Sequence, residues 1–255
     1  MLEGRVHIEK QGVVTILRLE RGPANAIDLP FARQLDDRLA ELETDSKSGA
    51  LILTGTGSCF SAGLDLKLIP EYDRAQQREL VEVLNRFFLR LYAFPLPTVA
   101  ALNGHAMAGG MILTLCCDYR IAKQRDCKCG LAEVRVGIPY PESAISVILA
   151  ELNHSMRRRM GQLGESMSSK KAKIFGIIDE VVPGESVMSR ALEKALELAE
   201  MPAAAYSRVK RQIRAQALTR MESAVEQKTD PALDSWMTRE SAQAAAEVLS
   251  GKRKV

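Results

Sequence analysis

The sequence has 255 residues, of which 46% are hydrophobic and 26% are charged, a balance typical of a globular protein and not of a disordered or fibrous one. This length is enough for one large domain, or for a domain with an appendage, around a sizeable core. The formal net charge is only +3, from 35 basic and 32 acidic residues, which argues against nucleic acid as a partner because nucleic-acid binders concentrate basic charge on one surface.

The first predicted elements are a hairpin, a strand and two helices. The opening residues, MLEGRVHIEK, have neither a signal-peptide core nor a basic amphipathic presequence, and we therefore expect a cytoplasmic protein. Alternating residues on both sides of Gly12 predict a β-hairpin. Asp28 is a candidate N-cap for a helix whose apolar residues recur at helical spacing. A buried strand at residues 50–55, a loop over residues 59–71 and a helix over residues 74–93 follow.

The middle of the chain continues this alternation of strands and helices. Strands are predicted at residues 97–104 and 118–123, with a helix over residues 108–117 between them. Such an order up to about residue 185 indicates an α/β core, whereas the pattern beyond it is almost purely helical. We therefore divide the chain into a core at residues 1–198 and a helical region at residues 199–255.

Neither a membrane span nor a metal site is predicted. No apolar run reaches the ~18 residues that a membrane helix requires, so we expect no membrane partner. The five cysteines are odd in number and lack a second cluster at zinc spacing, which predicts reduced thiols.

Two stretches share a pattern of small residues and glycine before an apolar run. They are SCFSAGLDLK at residues 58–67 and AMAGGMILTL at residues 106–115. Glycine permits backbone angles that turn N–H groups outward, and a helix that begins after such a turn presents unpaired donors. Two converging N–H groups would stabilise a carbonyl oxygen that becomes an enolate. Tight turns and close packing alone could also require these glycines.

Five segments carry a resemblance to a known family. RGPANAID, SAGLDLK, VAALNGHAMAGG, CCDYRIA and LAEVRVGI occur in the order and spacing of the enoyl-CoA hydratase/isomerase (crotonase) superfamily, which the chain resembles over roughly residues 5–185. The resemblance implies an α/β fold, a crotonase-like spiral of ββα repeats. It also implies that the C-terminal helices form a trimerisation region, in a homotrimer or a dimer of trimers.

The resemblance further implies a site for an acyl-CoA thioester, with no cofactor beyond the coenzyme A of the substrate. The thioester oxygen would lie between the backbone N–H groups of Leu64 and Gly109. The carbonyl of Ala62 would contact the adenine of CoA. Lys67 and Arg21 lie where cations can meet CoA phosphates, although each could equally be a plain surface charge. Gly63 and Gly110, in the same two loops, are also assigned to substrate binding.

One carboxylate of the family's hydratase pair is missing from this sequence. Hydratases of this family use two glutamates around one water, and the first of these positions is Ile112 here, whereas the second is Glu133. A single base beside an oxyanion hole suits Δ3-Δ2-enoyl-CoA isomerisation, in which a proton moves from C2 to C4. An apolar Ile112 in the substrate pocket would keep water out. We therefore predict that Glu133 is the proton shuttle. A glutamate in such a site can have its pKa raised toward ~6–7, which suits both taking and giving a proton.

Several alternatives stay open. Glu133 could be a structural carboxylate paired with Arg135 or Arg120. Glu142 could supply a second carboxylate for a weak hydratase, and Tyr140, assigned to the substrate site, could serve an acyl-CoA decarboxylase of the same fold. A CoA-ester-binding protein without catalysis is the remaining alternative. Two further side chains could either line the pocket or pack beside it, His105 and Trp236.

Overall fold

The computed structural model describes residues 4–45, 47–234 and 236–252. In this part of the chain the strands are β1 (Arg5–Gln11), β2 (Val14–Glu20), β3 (Ala50–Gly55), β4 (Cys59–Ser61), β5 (Thr98–Leu102), β6 (His105–Met107), β7 (Tyr119–Lys123), β8 (Lys128–Gly130), β9 (Ser166–Ser168) and β10 (Glu180–Val182). The helices are α1 (Leu29–Glu43), α2 (Arg74–Tyr92), α3 (Gly109–Cys116), α4 (Glu142–Glu151), α5 (His154–Met156), α6 (Ser169–Ile174), α7 (Val187–Ala199), α8 (Ala203–Glu226) and α9 (Arg239–Leu249).

A six-stranded sheet forms the larger layer, in the order β1-β2-β3-β5-β7-β10. The predicted hairpin is confirmed, because β1 and β2 pair antiparallel from Arg5 opposite Glu20 to Gln11 opposite Val14. The remaining neighbours run parallel. Every residue of β3 and β5 is buried, as expected for parallel strands covered on both faces.

A second sheet of very short strands, in the order β4-β6-β8-β9, lies beside the first. The predicted loop over residues 59–71 is wrong in two places, because Cys59–Ser61 form β4 and Ile69–Glu71 form a 3₁₀ turn. Three residues are too few to show an alternating pattern, so the sequence contains no signal for such a strand.

The order of the elements confirms the predicted spiral of ββα repeats. Three times in succession, a strand of the larger sheet is followed by a strand of the smaller sheet and then by a helix: β3-β4-α2, β5-β6-α3 and β7-β8-α4. The repeat places the end of each small strand and the start of the next helix on one side of the molecule, where the two glycine loops lie.

The helix boundaries follow local signals closely. The Asp28 carboxylate accepts a hydrogen bond from Phe31 N, which confirms the predicted N-cap of α1. Helix α2 begins after Asp73 and ends at Tyr92, one residue before the predicted end. Helix α3 is one residue shorter at each end than the prediction.

The C-terminal helices pack directly on the spiral. Val187 and Ala191 of α7 belong to the apolar cluster on the outer face of the larger sheet. Leu218 and Met221 of α8 belong to the main core, together with Trp236. The division at residue 198 stays a prediction, since apolar side chains from both sides of it share one core.

Candidate active site

Two connected spaces lie where the glycine loops meet. The outer cavity, of about 610 Å³, lies between residues 62–67, residues 105–108 and a helical turn that begins at Glu133. The inner chamber, with about 20 Å³ of free space, lies behind it against α2 and α3. Leu64, Glu133 and Ile138 line both, so these side chains stand at the junction.

The two loops touch through residues that have no side chain. Gly63 has a φ of +80°, and a Cβ atom there would lie 2.7 Å from the backbone nitrogen of Gly109. A Cβ atom on Gly110 would lie 2.2 Å from the carbonyl oxygen of Ser61. Both separations are below any real Cβ contact, so the close approach of the loops requires glycine at both positions.

This contact brings two free N–H groups together. Ile27 N donates to Gly63 O at 2.7 Å and Asp65 N donates to Ile27 O at 2.8 Å, which holds the first loop and leaves the Leu64 N–H unused. Gly109 is the first residue of α3, so its N–H has no acceptor within the helix. Among the hydrogen bonds of the described residues, none involves either N–H.

The sequence-based expectation for these loops needs two corrections. A helix begins directly after the second loop but not after the first, where the bridge between Ile27 and Leu64 orients the N–H instead. In the second loop the unusual backbone angle belongs to Ala108, with φ 49° and ψ −126°, and not to Gly109 or Gly110. A non-glycine residue with these angles is strained, and such strain concentrates at functional sites.

Glu133 is a buried carboxylate with one oxygen left unpaired. It is 6% exposed, and its Oε2 atom makes no hydrogen bond to any of the residues that the structure describes. Burial, opposed by weaker hydrogen bonds, raises the pKa of Glu133 to about 7. Neither arginine considered above forms an ion pair with it: Arg120 pairs with Glu151, and Arg135 Nε donates to Gly164 O at 2.6 Å.

With this geometry established, comparison with known proteins is informative. A sequence model of the family described as enoyl-CoA hydratase/isomerase matches residues 9–254. The chain belongs to the enoyl-CoA hydratase/isomerase family.

Some relatives of this family member are named isomerases and others are named hydratases. Enoyl-CoA delta isomerase 1, mitochondrial, of Mus musculus is 35% identical over 191 residues, which cover 73% of this chain and 66% of the mouse protein, just under two thirds of its length. The 2,3-dehydroadipyl-CoA hydratase of Escherichia coli (strain K12) is 29% identical over 208 residues, covering 81% of this chain and 80% of that protein. Because the mouse name includes a mitochondrial location, the cytoplasmic location stays a prediction.

A solved structure confirms the fold of this family member. Human mitochondrial delta3-delta2-enoyl-CoA isomerase superposes with a TM-score of 0.84 at 28% sequence identity, covering 98% of this chain and 100% of that one. The crotonase-like α/β spiral inferred from the sequence resemblance is therefore confirmed.

Of two residues considered together with Glu133, Ile112 lines the inner chamber and Glu142 lines neither space. Ile112, on the second turn of α3, lines the inner chamber. Glu142 does not line either space, because its carboxylate pairs with Arg220 on α8, at 2.9 Å from Arg220 Nε. The expectation that Glu142 might act beside Glu133 therefore has no geometric support.

Tyr140 lies behind Glu133 and does not line either space. Its hydroxyl donates to Gly161 O at 3.1 Å. Burial, and then the neighbouring Glu133 carboxylate, raise the pKa of Tyr140 above its usual range. Tyr140 therefore contacts the carboxylate from outside the cavity, whereas the sequence analysis had assigned it to the substrate.

The predicted CoA-binding residues also separate into two groups. Ala62 and Lys67 line the outer cavity, as do His105 and Lys128. Lys128 was not identified from the sequence, where it stands between two cysteines in a three-residue strand and offers no recognisable signal. His105 Nδ1 accepts a hydrogen bond from Lys128 N at 3.1 Å, which leaves Nε2 as the nitrogen that carries the proton in the neutral ring.

Arg21 and Gly110, which the sequence analysis placed near the substrate, make contacts within the protein instead. The Arg21 guanidinium is 13% exposed and contacts the carboxylates of Asp28 at 2.6 Å and Asp65 at 2.8 Å, so its charge is already paired. Gly110 packs against Ser61 and does not line either space.

The described ranges contain neither a metal-binding cluster nor a helix that could cross a membrane. In residues 4–45, 47–234 and 236–252, no group of three or more His, Cys, Asp or Glu side chains could hold a metal ion. No helix in the same ranges is both long and apolar enough to cross a bilayer.

Proposed function

We propose that this family member isomerises 3-enoyl-CoA to 2-enoyl-CoA thioesters, with Glu133 as the group that moves the proton. One observation carries the proposal: a buried carboxyl oxygen of Glu133 has no hydrogen-bond partner among the described residues, and Glu133 lines the inner chamber together with Leu64 and Gly109, whose N–H groups are free. A carboxyl with a pKa of about 7 can both accept and return a proton near neutral pH.

The proposed reaction begins when the thioester oxygen accepts hydrogen bonds from Leu64 N–H and Gly109 N–H. The Glu133 carboxylate removes a proton from C2, and the electron pair of that C–H bond moves into a dienolate whose oxygen charge the two N–H groups stabilise. Each such donor typically contributes about 10²–10³ in rate. The protonated Glu133 then delivers the proton to C4, which leaves the double bond between C2 and C3 and regenerates the carboxylate.

The surroundings of Glu133 support proton transfer over the addition of water. Hydration by this family's mechanism needs a second carboxylate to hold the water, and Ile112 stands at that position. The other carboxylate that lines the described cavity, Asp65, is paired with Arg21 at 2.8 Å. The apolar walls exclude water. They therefore favour transfer of a carbon-bound proton to Glu133 over the addition of water.

We propose that the outer cavity takes the CoA portion of the substrate and that the reaction uses no further cofactor. Lys67 and Lys128 line this cavity, and their positive charge suits the phosphates of CoA. Ala62 lines the same cavity, in keeping with the adenine contact that the resemblance implies.

A comparison of two substrates tests the proposal. The purified protein is incubated separately with 3-hexenoyl-CoA and 2-hexenoyl-CoA, and the products are followed by chromatography and mass. We expect the 3-enoyl ester to become the 2-enoyl ester with no change in mass. Rapid addition of water to 2-hexenoyl-CoA without isomerisation of the 3-enoyl ester would replace isomerase with hydratase.

The variant Glu133→Gln then tests the role of the carboxylate. We expect it to lower kcat at least 10³-fold and still bind hexanoyl-CoA, because glutamine keeps the shape and cannot accept the proton. The matched control is Glu142→Gln, whose carboxylate lies outside the cavity and should leave turnover within about threefold of wild type. Equal turnover by Glu133→Gln and wild type would contradict the proposal, and binding without turnover by wild type would identify a CoA-ester-binding protein.

A further inference from the structure

The inner chamber limits what can lie beyond Glu133. Its free space is about 20 Å³, which is room for about one group the size of a water molecule. Apart from Glu133, the side chains around it are apolar. Leu84, Phe88 and Trp236, which line the chamber but not the outer cavity, are called here its far wall. A longer apolar chain could enter only by displacing one of these side chains.

The distribution of charge determines which end of an acyl-CoA reaches this chamber. The cations near the site, Lys67 and Lys128, line the outer cavity and not the chamber. The anionic CoA portion therefore belongs in the outer cavity. With the thioester oxygen at Leu64 N–H, the far end of the acyl chain points past Glu133 toward the far wall.

Trp236 is the largest side chain of this wall and is held firmly. It is 2% exposed, and its indole Nε1–H donates to the carbonyl oxygen of Pro139 at 2.8 Å. Moving the ring away would leave a buried donor and a carbonyl unpaired, which is unfavourable. The ring is therefore a fixed wall of the chamber.

The chain segment that precedes Trp236 is also anchored by buried hydrogen bonds. The Asp230 carboxylate accepts from Asn85 Nδ2 and from Glu142 N, both at 2.7 Å, and from Ala232 N at 2.8 Å. Asp230 is 4% exposed and Asn85 is 1% exposed. These contacts join the segment to α2 and to the start of α4, on either side of the chamber.

We infer that Trp236 sets the upper limit of acyl-chain length and that the substrates are short-chain acyl-CoA thioesters. In a 3-enoyl ester, carbons 1 to 4 take part in the reaction, and the chamber leaves space for about one or two more. Chains of about four to six carbons fit without moving Trp236. This inference rests on the proposed function for the direction in which the acyl chain lies.

The test measures binding separately from turnover. Calorimetry gives the Kd of butanoyl-, hexanoyl-, octanoyl- and dodecanoyl-CoA for wild type, Trp236→Ala and Trp236→Phe. We expect wild type to bind hexanoyl-CoA at least tenfold more tightly than dodecanoyl-CoA, since one methylene in an apolar pocket can be worth tenfold or more. In Trp236→Ala the two Kd values should become equal, or dodecanoyl-CoA should bind more tightly. In Trp236→Phe the preference for hexanoyl-CoA should weaken by a smaller factor.

Ile174→Ala, at an 80% exposed residue of α6, is the matched control and should keep the wild-type ratio. If wild type binds dodecanoyl-CoA as tightly as hexanoyl-CoA, the inference is wrong, whether or not the variants fold. An unchanged ratio in both folded variants would also overturn it. A short-chain preference without isomerisation would keep this inference about the chamber and remove only the proposed reaction.

Discussion

Glu133 shows how much the surroundings of one residue decide. In water a glutamate is ionised at neutral pH, whereas burial raises the pKa of Glu133 to about 7. If it is the base, we expect kcat/KM for isomerisation to rise with pH and to show an inflection near pH 7. An inflection near 4.5, the ordinary value for glutamate, would show that this carboxyl is not the essential base.

The same pKa can be tested without any substrate. Between pH 4.5 and 7 the folded protein keeps a proton on Glu133 that the unfolded chain has released, so this group lowers the free energy of unfolding as pH rises through that range. Glu133→Gln carries no such charge. We expect it to be more stable than wild type at pH 8 by on the order of 2–3 kcal/mol, and this gap to shrink toward pH 5.

Urea unfolding of both proteins at the two pH values measures this difference. A gap that does not change with pH would mean that the carboxylate is already stabilised in the folded protein. Glu133 could be singled out from the sequence because a motif surrounds it. Its raised pKa was expected from the same motif and agrees with the structure, whereas the side chains that bury it come from distant parts of the chain and could not be read from the sequence.

At the scale of the elements, the site depends on the contact between two loops. Gly63→Ala would place a methyl group 2.7 Å from the nitrogen of Gly109 and so displace one of the two N–H donors. We expect kcat to fall by about 10²–10³, the loss typical of a missing oxyanion donor. Steady-state kinetics checks this, and turnover close to wild type would show that the two N–H groups do not act together.

Ala108→Gly is the opposite change in the facing loop. Glycine adopts φ 49° and ψ −126° without the strain that alanine has there, so we expect the free energy of unfolding to increase by about 1 kcal/mol. Turnover should stay within about tenfold of wild type, since the backbone path is unchanged. The paired glycines attracted attention in the sequence, but nothing in the local pattern indicated that the strained residue precedes them.

At the scale of the whole molecule, buried charges attach α8 to the core. Asp118, at the end of α3 and the start of β7, contacts Lys210 at 2.8 Å and Arg214 at 3.0 Å, and all three side chains are at most 12% exposed. Burial alone would raise the pKa of Asp118, but these two cations overcome that effect and hold it below its usual value. Lys210 therefore helps to hold α8 on the core.

Asp118→Asn should therefore destabilise the protein strongly. It leaves Lys210 without a carboxylate and Arg214 with only the more distant Glu151, at 3.7 Å, and breaking a buried pair in this way costs about 3–5 kcal/mol. Urea unfolding measures the loss, and the double variant with Lys210→Met should recover part of it because it removes the unpaired charge. A loss below about 1 kcal/mol would show that this cluster does not hold α8 in place.

The trimeric or hexameric assembly that the resemblance implies stays a prediction. Two apolar side chains of α8 are largely exposed in the isolated chain, Val209 at 50% and Ile213 at 81%. Their exposure is compatible with a contact between copies of the chain.

The sequence by itself determined the features that depend on near neighbours in the chain. Alternation around Gly12 predicted the hairpin, Asp28 predicted a helix start, and the ordered motifs identified the family and the position of Glu133. The hairpin and the helix start are each encoded within about twenty residues, and each family motif is itself a short local run.

The tertiary structure alone decided the features that depend on distant segments. It formed a sheet from strands of three residues and brought Trp236 to the wall of the inner chamber. It also paired Arg21 with Asp28 and Glu142 with Arg220, so neither charge is free for the substrate. Burial, charge pairing and cavity size arise where segments that are far apart in the chain pack together. For that reason the candidate base and the direction of its pKa shift could be predicted from the sequence, whereas the side chains that bury it and the size of the space beside it could not.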